Sequence, residues 1–178
     1  IDLSAKNLPK FDGELGFCFL GFCCDKGVEN NKGRIGASKA PYNIRKAMVN
    51  LPCWFKQDDK LFDAGDIICE DYSLEECQEF LAIAVEKILN LNLFPIVLGG
   101  GHEVAFGHYR GISNHLKNLY SNPKIGIINF DAHFDLRPYS KGGNSSGTMF
   151  KQISDICKEE NSEFSYMCIG IQKYSNTV

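Results

Sequence analysis

The sequence lacks a long hydrophobic run. Its longest, Leu15 to Cys24, reaches about half the ~20 apolar residues that a membrane-spanning helix requires, so no membrane protein is expected. A charged-then-apolar leader is also missing at Ile1-Asp2-Leu3-Ser4-Ala5-Lys6, which argues against export. The first residue is not Met, so a removed or omitted upstream segment is expected. Basic excess is absent: 19 Lys and Arg stand against 22 Asp and Glu, a net charge of −3. That leaves no electrostatic footprint for nucleic acid or anionic lipid. Proline is scarce, at six of 178 residues, and 44% of side chains are apolar, which excludes disorder and suits a single domain over residues 1–178.

Cysteine is plentiful, but its usual patterns are missing. The eight cysteines include no C-x-x-C pair and mostly sit in apolar runs, so they read as buried reduced thiols of a cytoplasmic protein. No G-x-S-x-G elbow is present, and no cysteine has the electropositive setting that marks a reactive thiolate. Two glycine runs fail as phosphate loops. Gly99-Gly100-Gly101 leads to Val104 where the last glycine of G-x-G-x-x-G belongs, and Gly142 to Thr148 has Thr148 in place of the required lysine.

What is present is an alternation of short apolar runs with helical periodicity, the signature of a largely parallel sheet covered by helices on both faces. Five strands are expected, at Leu15–Phe22, Lys60–Phe62, Phe94–Leu98, Lys124–Phe130 and Ser165–Ile171. Helices are expected over Pro41–Asn50, from the capping box Ser73-Leu74-Glu75-Glu76 onward, over His102–Lys117 and over Gly147–Cys157. The second of these carries Leu74, Cys77, Leu81, Val85 and Ile88 at spacings of three and four, a single apolar face.

Two strand ends carry ionisable groups, and ligands of parallel sheets collect at the carboxyl ends of strands. One is Gly99-Gly100-Gly101-His102-Glu103; the other is Asp131-Ala132-His133-Phe134-Asp135. If extended at ~3.3 Å per residue, Asp131 and Asp135 would lie about 13 Å apart. Either the chain bends sharply, or the residues serve two adjacent ions with Asp131 or another carboxylate between them. His102 would add a second imidazole. Such a donor set favours a hard or borderline ion such as Mn²⁺ over a structural zinc, and two such ions could activate a shared water. His108 reads as a satisfied helix residue and His115 as a solvated one.

These two segments resemble the first metal motifs of the arginase and agmatinase family of binuclear manganese ureohydrolases. Lys32-Gly33-Arg34-Ile35-Gly36-Ala37 with Ala40-Pro41-Tyr42-Asn43-Ile44-Arg45 resembles that family's glycine-rich loop and first helix. Phe134-Asp135-Leu136-Arg137 with Ser146-Gly147-Thr148-Met149-Phe150 is similar to the formimidoylglutamase branch. The resemblance runs from about Gly16 to Gln172. It implies a three-layer α/β/α fold of which this chain is the N-terminal part, and two Mn²⁺ ions per complete domain. His102 and Asp135 would help bind one ion, His133 the other, and Asp131 both, with Asp131 acting in catalysis. It implies hydrolysis of N-formimidoyl-L-glutamate to L-glutamate and formamide. The alternatives are guanidine hydrolysis of the agmatinase or arginase type, or a binding protein without turnover. The family's trimers and hexamers make a homo-oligomer an expectation.

The resemblance implies that the family's D-x-D segment, with two more aspartate ligands, belongs to the part of the protein that follows Val178. A polypeptide ending there is expected to aggregate or to bind metal weakly. Agmatinases carry a proton-moving His at the position of Ser146, whose hydroxyl titrates too far from neutrality for that task. Arg137, two residues past Asp135, could hold a substrate carboxylate with its planar fork, which suits a small anionic amidine. Tyr139, Asn144 and Ser145 are further candidates for the substrate pocket.

Overall fold

The computed structural model describes residues 1–13, 15–56, 58–139 and 141–176. Its elements are β1 (Gly16–Cys23), α1 (Lys26–Asn30), α2 (Ala40–Met48), β2 (Lys60–Ile68), α3 (Leu74–Asn90), β3 (Phe94–Leu98), α4 (Val104–Leu119), β4 (Gly126–Phe130), α5 (Met149–Glu159) and β5 (Ser165–Ile169), in the expected order apart from α1. Every strand pairing is parallel, in the orders β2-β1-β3 and β4-β5. Among the described residues the five strands thus form two groups, and β3 and β4 share no ladder.

β1 is central and covered on both faces. Cys18, Leu20 and Phe22 pack with Leu74, Cys77, Leu81, Val85 and Ile88, the apolar stripe of α3, to form the main core. On the other face, a Cβ at Gly21 would come 2.9 Å from the Cβ of Pro41, so α2 closes that side and completes three layers. α3 starts at the expected capping box: the Glu76 N–H donates to Ser73 Oγ at 3.2 Å, and the Ser73 N–H donates to Glu76 Oε2 at 2.8 Å.

Most ends shift by one or two residues, as at β4 (from Gly126 rather than Lys124) and β5 (to Ile169 rather than Ile171), and two departures are larger. β2 does not stop at Phe62 but continues to Ile68, because Asp63-Ala64-Gly65-Asp66 is a bulge within an edge strand. Phe19 lies opposite Asp63 and Gly21 opposite Asp66, with Gly65 at φ 80° between them. The two aspartates hold Arg45 of α2, at 2.7 and 2.6 Å. The short helix α1 was not expected at all, since Lys-Gly-Val-Glu-Asn carries no apolar period. It is held from outside, the Gly27 N–H donating to Glu103 Oε1 at 3.0 Å.

α4 crosses α3 at Gly107 and Gly111. A Cβ at these positions would sit 2.6 Å from the Gln78 and Ala82 carbonyl oxygens, so only glycine permits the approach. Ala105, Phe106 and Tyr109 of α4 then join Met149, Phe150, Ile153 and Cys157 of α5, together with Ile127 and Tyr166, in a second core. α4 therefore links the two sheets. The expected second helical layer does not extend over β4 and β5: their outer face exposes Ile128 (63%), Phe130 (79%), Met167 (58%) and Ile169 (43%). Among the described residues, no helix is long and apolar enough to cross a membrane.

Candidate metal centre

All pairings are parallel, so the carboxyl ends of the strands form one rim, and His102 and Asp131 reach it from β3 and β4. The glycines before His102 serve proximity rather than phosphate binding. A Cβ at Gly100 would lie 1.9 Å from the Cys24 carbonyl oxygen, and the Gly101 N–H donates to that oxygen at 2.9 Å. His102 is thereby pinned over the end of β1.

Between Asp131 and Asp135 the chain bends sharply, and the bend still lets Asp131 face two positions. The chain turns directly after β4 and passes through a left-handed Asp135 at φ 48°, a conformation that Asp tolerates better than most side chains. The bend brings Asp135 Oδ2 to 2.9 Å and Asp131 Oδ2 to 3.4 Å from His102 Nδ1. Ligand atoms of His102, Asp131 and Asp135 all lie within 4.8 Å of one another. Asp131 Oδ1 faces the other way: it accepts the His133 N–H at 2.8 Å and lies 3.0 Å from His133 Nδ1. Thus the two oxygens of Asp131 address different imidazoles. Burial pushes the Asp131 carboxyl up, but the His133 N–H, the His133 ring and the nearby His102 outweigh it, and the pKa settles below the usual value of 3.8. His102, Asp131 and Asp135 converge, His133 lies against the far oxygen of Asp131, and this thiolate-free donor set fits a hard or borderline divalent ion.

Several supports of this loop were not legible in the sequence. Asn176 donates to the Ala132 carbonyl at 2.9 Å and accepts the Phe134 N–H at 3.1 Å, while the Tyr166 hydroxyl donates to the Phe134 carbonyl at 2.9 Å. The Phe150 ring stands edge-on to His102, with centroids 5.6 Å apart. Glu103 was also missed as a structural residue. It is fully buried, which pushes its pKa up, and its Oε1 caps Gly27. A carboxylate between a histidine and an apolar helix start was the only hint.

A cleft of about 600 Å³ borders the centre and is lined by His133, Phe134, Asp135, Leu136, Arg137 and Pro138, among others. Arg137 is anchored through its N–H to the Gly147 carbonyl at 3.0 Å, and its guanidinium donates to Asn31 Oδ1 at 3.1 Å. The other pocket candidates are engaged elsewhere. Tyr139 donates to Asp155 at 2.7 Å, which together with burial raises its pKa. Asn144 donates to Glu75 at 2.8 Å. Ser145 is buried in the turn before α5, its N–H donating to Thr148 Oγ1 at 2.8 Å. Ser146 ties that turn to α1, its N–H donating to the Gly27 carbonyl at 2.9 Å. His108 is half-buried, and its desolvation lowers its pKa, while His115 pairs with Asn90 at 2.8 Å.

The chain matches the model of the arginase family over residues 15–178. It is similar to the formimidoylglutamase of Clostridium tetani, 62% identical over the whole of this chain and 53% of that protein. A Geobacillus formimidoylglutamase is 48% identical over 92% of this chain and 48% of its own length. The chain thus spans about half the length of the curated relatives it matches. Among solved structures, Trypanosoma cruzi formiminoglutamase with Mn²⁺ superposes with a TM-score of 0.76 at 28% identity, over 94% of this chain and 58% of that one. Arginase from Bacillus subtilis superposes with a TM-score of 0.69 at 26% identity, over 92% and 57%. The parallel strands, the two motif loops meeting at one rim and these matches have a single explanation: the chain belongs to the arginase family.

Proposed function

We propose that His102, Asp131, His133 and Asp135 bind two manganese ions, and that the protein of which this sequence forms part hydrolyses N-formimidoyl-L-glutamate to L-glutamate and formamide. The observation that carries this reading is Asp131, whose Oδ2 turns toward His102 and whose Oδ1 turns toward His133. That is the disposition of a carboxylate shared by two ions, with Asp135 completing the His102 side. The formimidoylglutamase relatives favour this substrate over guanidines. Bound there, two Mn²⁺ ions supply the Lewis acidity that makes water a competent nucleophile near neutral pH.

The protein's own residues do the rest. Asp131, ionised at neutral pH because its pKa is low, would hold the ions and relay a proton from the attacking water to the departing amine nitrogen. Arg137, on the wall of the adjacent cleft, holds a carboxylate of this small anionic amidine, with Asn31 steadying its fork. Eight free thiols suit the reducing cytoplasm. The test is to load full-length protein with Mn²⁺ and measure formamide and glutamate released from formimidoylglutamate, with agmatine and arginine as competitors. Two ions per chain and preference for the amidine are expected. A metal-loaded protein inert to the amidine, or faster on either guanidine, would overturn the reading.

A further inference from the structure

The cysteines lack any metal-binding spacing in the sequence, yet the fold gathers three of them. Cys23 and Ile68 are the last paired residues of β1 and β2, so Cys24 and Cys69 follow side by side on neighbouring strands. Cys77 enters from the first turn of α3. All three are buried, at 1%, 1% and 0% exposure, and their sulfurs lie within 4.8 Å of one another. Tetrahedral zinc with Zn–S bonds of ~2.3 Å needs sulfurs ~3.8 Å apart, so a small inward movement suffices.

A buried carboxylate borders the cluster: Glu103 is fully buried, and the Cys24 thiol lies within reach of it. We propose that Cys24, Cys69 and Cys77 form a three-thiolate site for a single Zn²⁺ ion, separate from the carboxylate and imidazole centre, with the fourth position left to a small donor such as water.

The chemistry of the surroundings agrees. The three sulfurs face one another in a pocket closed to solvent, the placement a thiolate-bound ion requires. The positive end of α3 lies at Cys77, and the Lys26 ammonium is close enough to offset part of the negative charge of three thiolates. Thiolates select zinc or copper(I) over manganese, so the two sites would sort ions by softness. Binding expels the thiol protons to solvent, and zinc affinity therefore rises with pH. The bound ion would tie the ends of β1 and β2 to α3. Through the Gly101 N–H on the Cys24 carbonyl, it would also steady the loop that carries His102.

The test titrates Co²⁺ into reduced full-length protein and into its Asp131→Asn variant, which weakens the other centre. A near-ultraviolet sulfur-to-cobalt charge-transfer band that saturates at one ion per chain, is displaced by Zn²⁺ and persists in Asp131→Asn is expected. Cys69→Ala and Cys77→Ala should weaken zinc binding at least ~100-fold, more than outer-sphere changes do, whereas Cys23→Ser should leave it unchanged. Since buried substitutions can impair folding, the wild-type spectrum is decisive by itself. Absence of the band, or a band that survives Cys69→Ala in a folded protein, would overturn the proposal.

Discussion

Asp131 is the residue on which both candidate metal positions depend, because each of its oxygens faces a different imidazole. Asp131→Asn keeps the shape and removes the charge. Its manganese affinity is expected to fall by more than the ~10–100-fold typical of changes outside the ligand shell, with activity lost in parallel. Metal analysis after dialysis checks this, and two ions retained at wild-type affinity would show the ligand assignment to be wrong. Arg137 is tested by a gentler change. Arg137→Lys preserves charge but loses the fork, so kcat/KM for formimidoylglutamate should drop about 10- to 100-fold, the equivalent of one charge-assisted hydrogen bond. Manganese content should be unaltered. Equal kcat/KM in the two proteins would leave the carboxylate clamp without support.

At the level of elements, close packing and one ion-pair network fix how the helices sit on the first sheet. Gly111→Ala would thrust a methyl group to 2.6 Å from the Ala82 carbonyl oxygen, which is backbone and cannot swing aside. α4 must then shift from α3, and a loss of about 1–3 kcal/mol in urea unfolding is expected. Arg45 binds Asp63 through two nitrogens and Asp66 through a third, docking α2 onto the β2 bulge. Burial alone would raise the Asp63 pKa, but Arg45 and the Gly65 N–H bring it below 3.8. A pKa lower in the folded than in the unfolded state stabilises above the unfolded value, and that contribution is lost as pH falls through the folded one. Arg45→Ala should therefore cost about 1 kcal/mol near pH 7, as an exposed network does, and progressively less as the medium becomes acidic enough to protonate Asp63. A penalty independent of pH would mean that Arg45 acts through packing alone.

For the molecule as a whole, the outer face of β4 and β5 is the dominant surface feature. Ile128, Phe130, Met167 and Ile169 lie on one side of two adjacent strands, an apolar patch of the kind that soluble proteins seldom leave uncovered. The 178-residue polypeptide by itself is expected to self-associate and to bind the dye ANS. Light scattering and dye fluorescence measure both, and a dispersed monomer that leaves the dye dark would contradict the expectation.

The sequence by itself determined the order of the strands and the four longer helices, the α3 capping box, the apolar stripe of α3 and the two motif loops, because each follows from local periodicity or from residues adjacent in the chain. It also named the four metal-ligand candidates and their family. Only the tertiary structure decided how Asp131 to Asp135 bends, since that depends on Asn176 and Tyr166 bonding the loop from more than 30 positions away. It alone turned Tyr139, Asn144 and Ser145 toward Asp155, Glu75 and Thr148. The β2 bulge and the three-sulfur cluster were equally hidden, because parallel pairing joins residues far apart in sequence and leaves no local pattern to record the meeting.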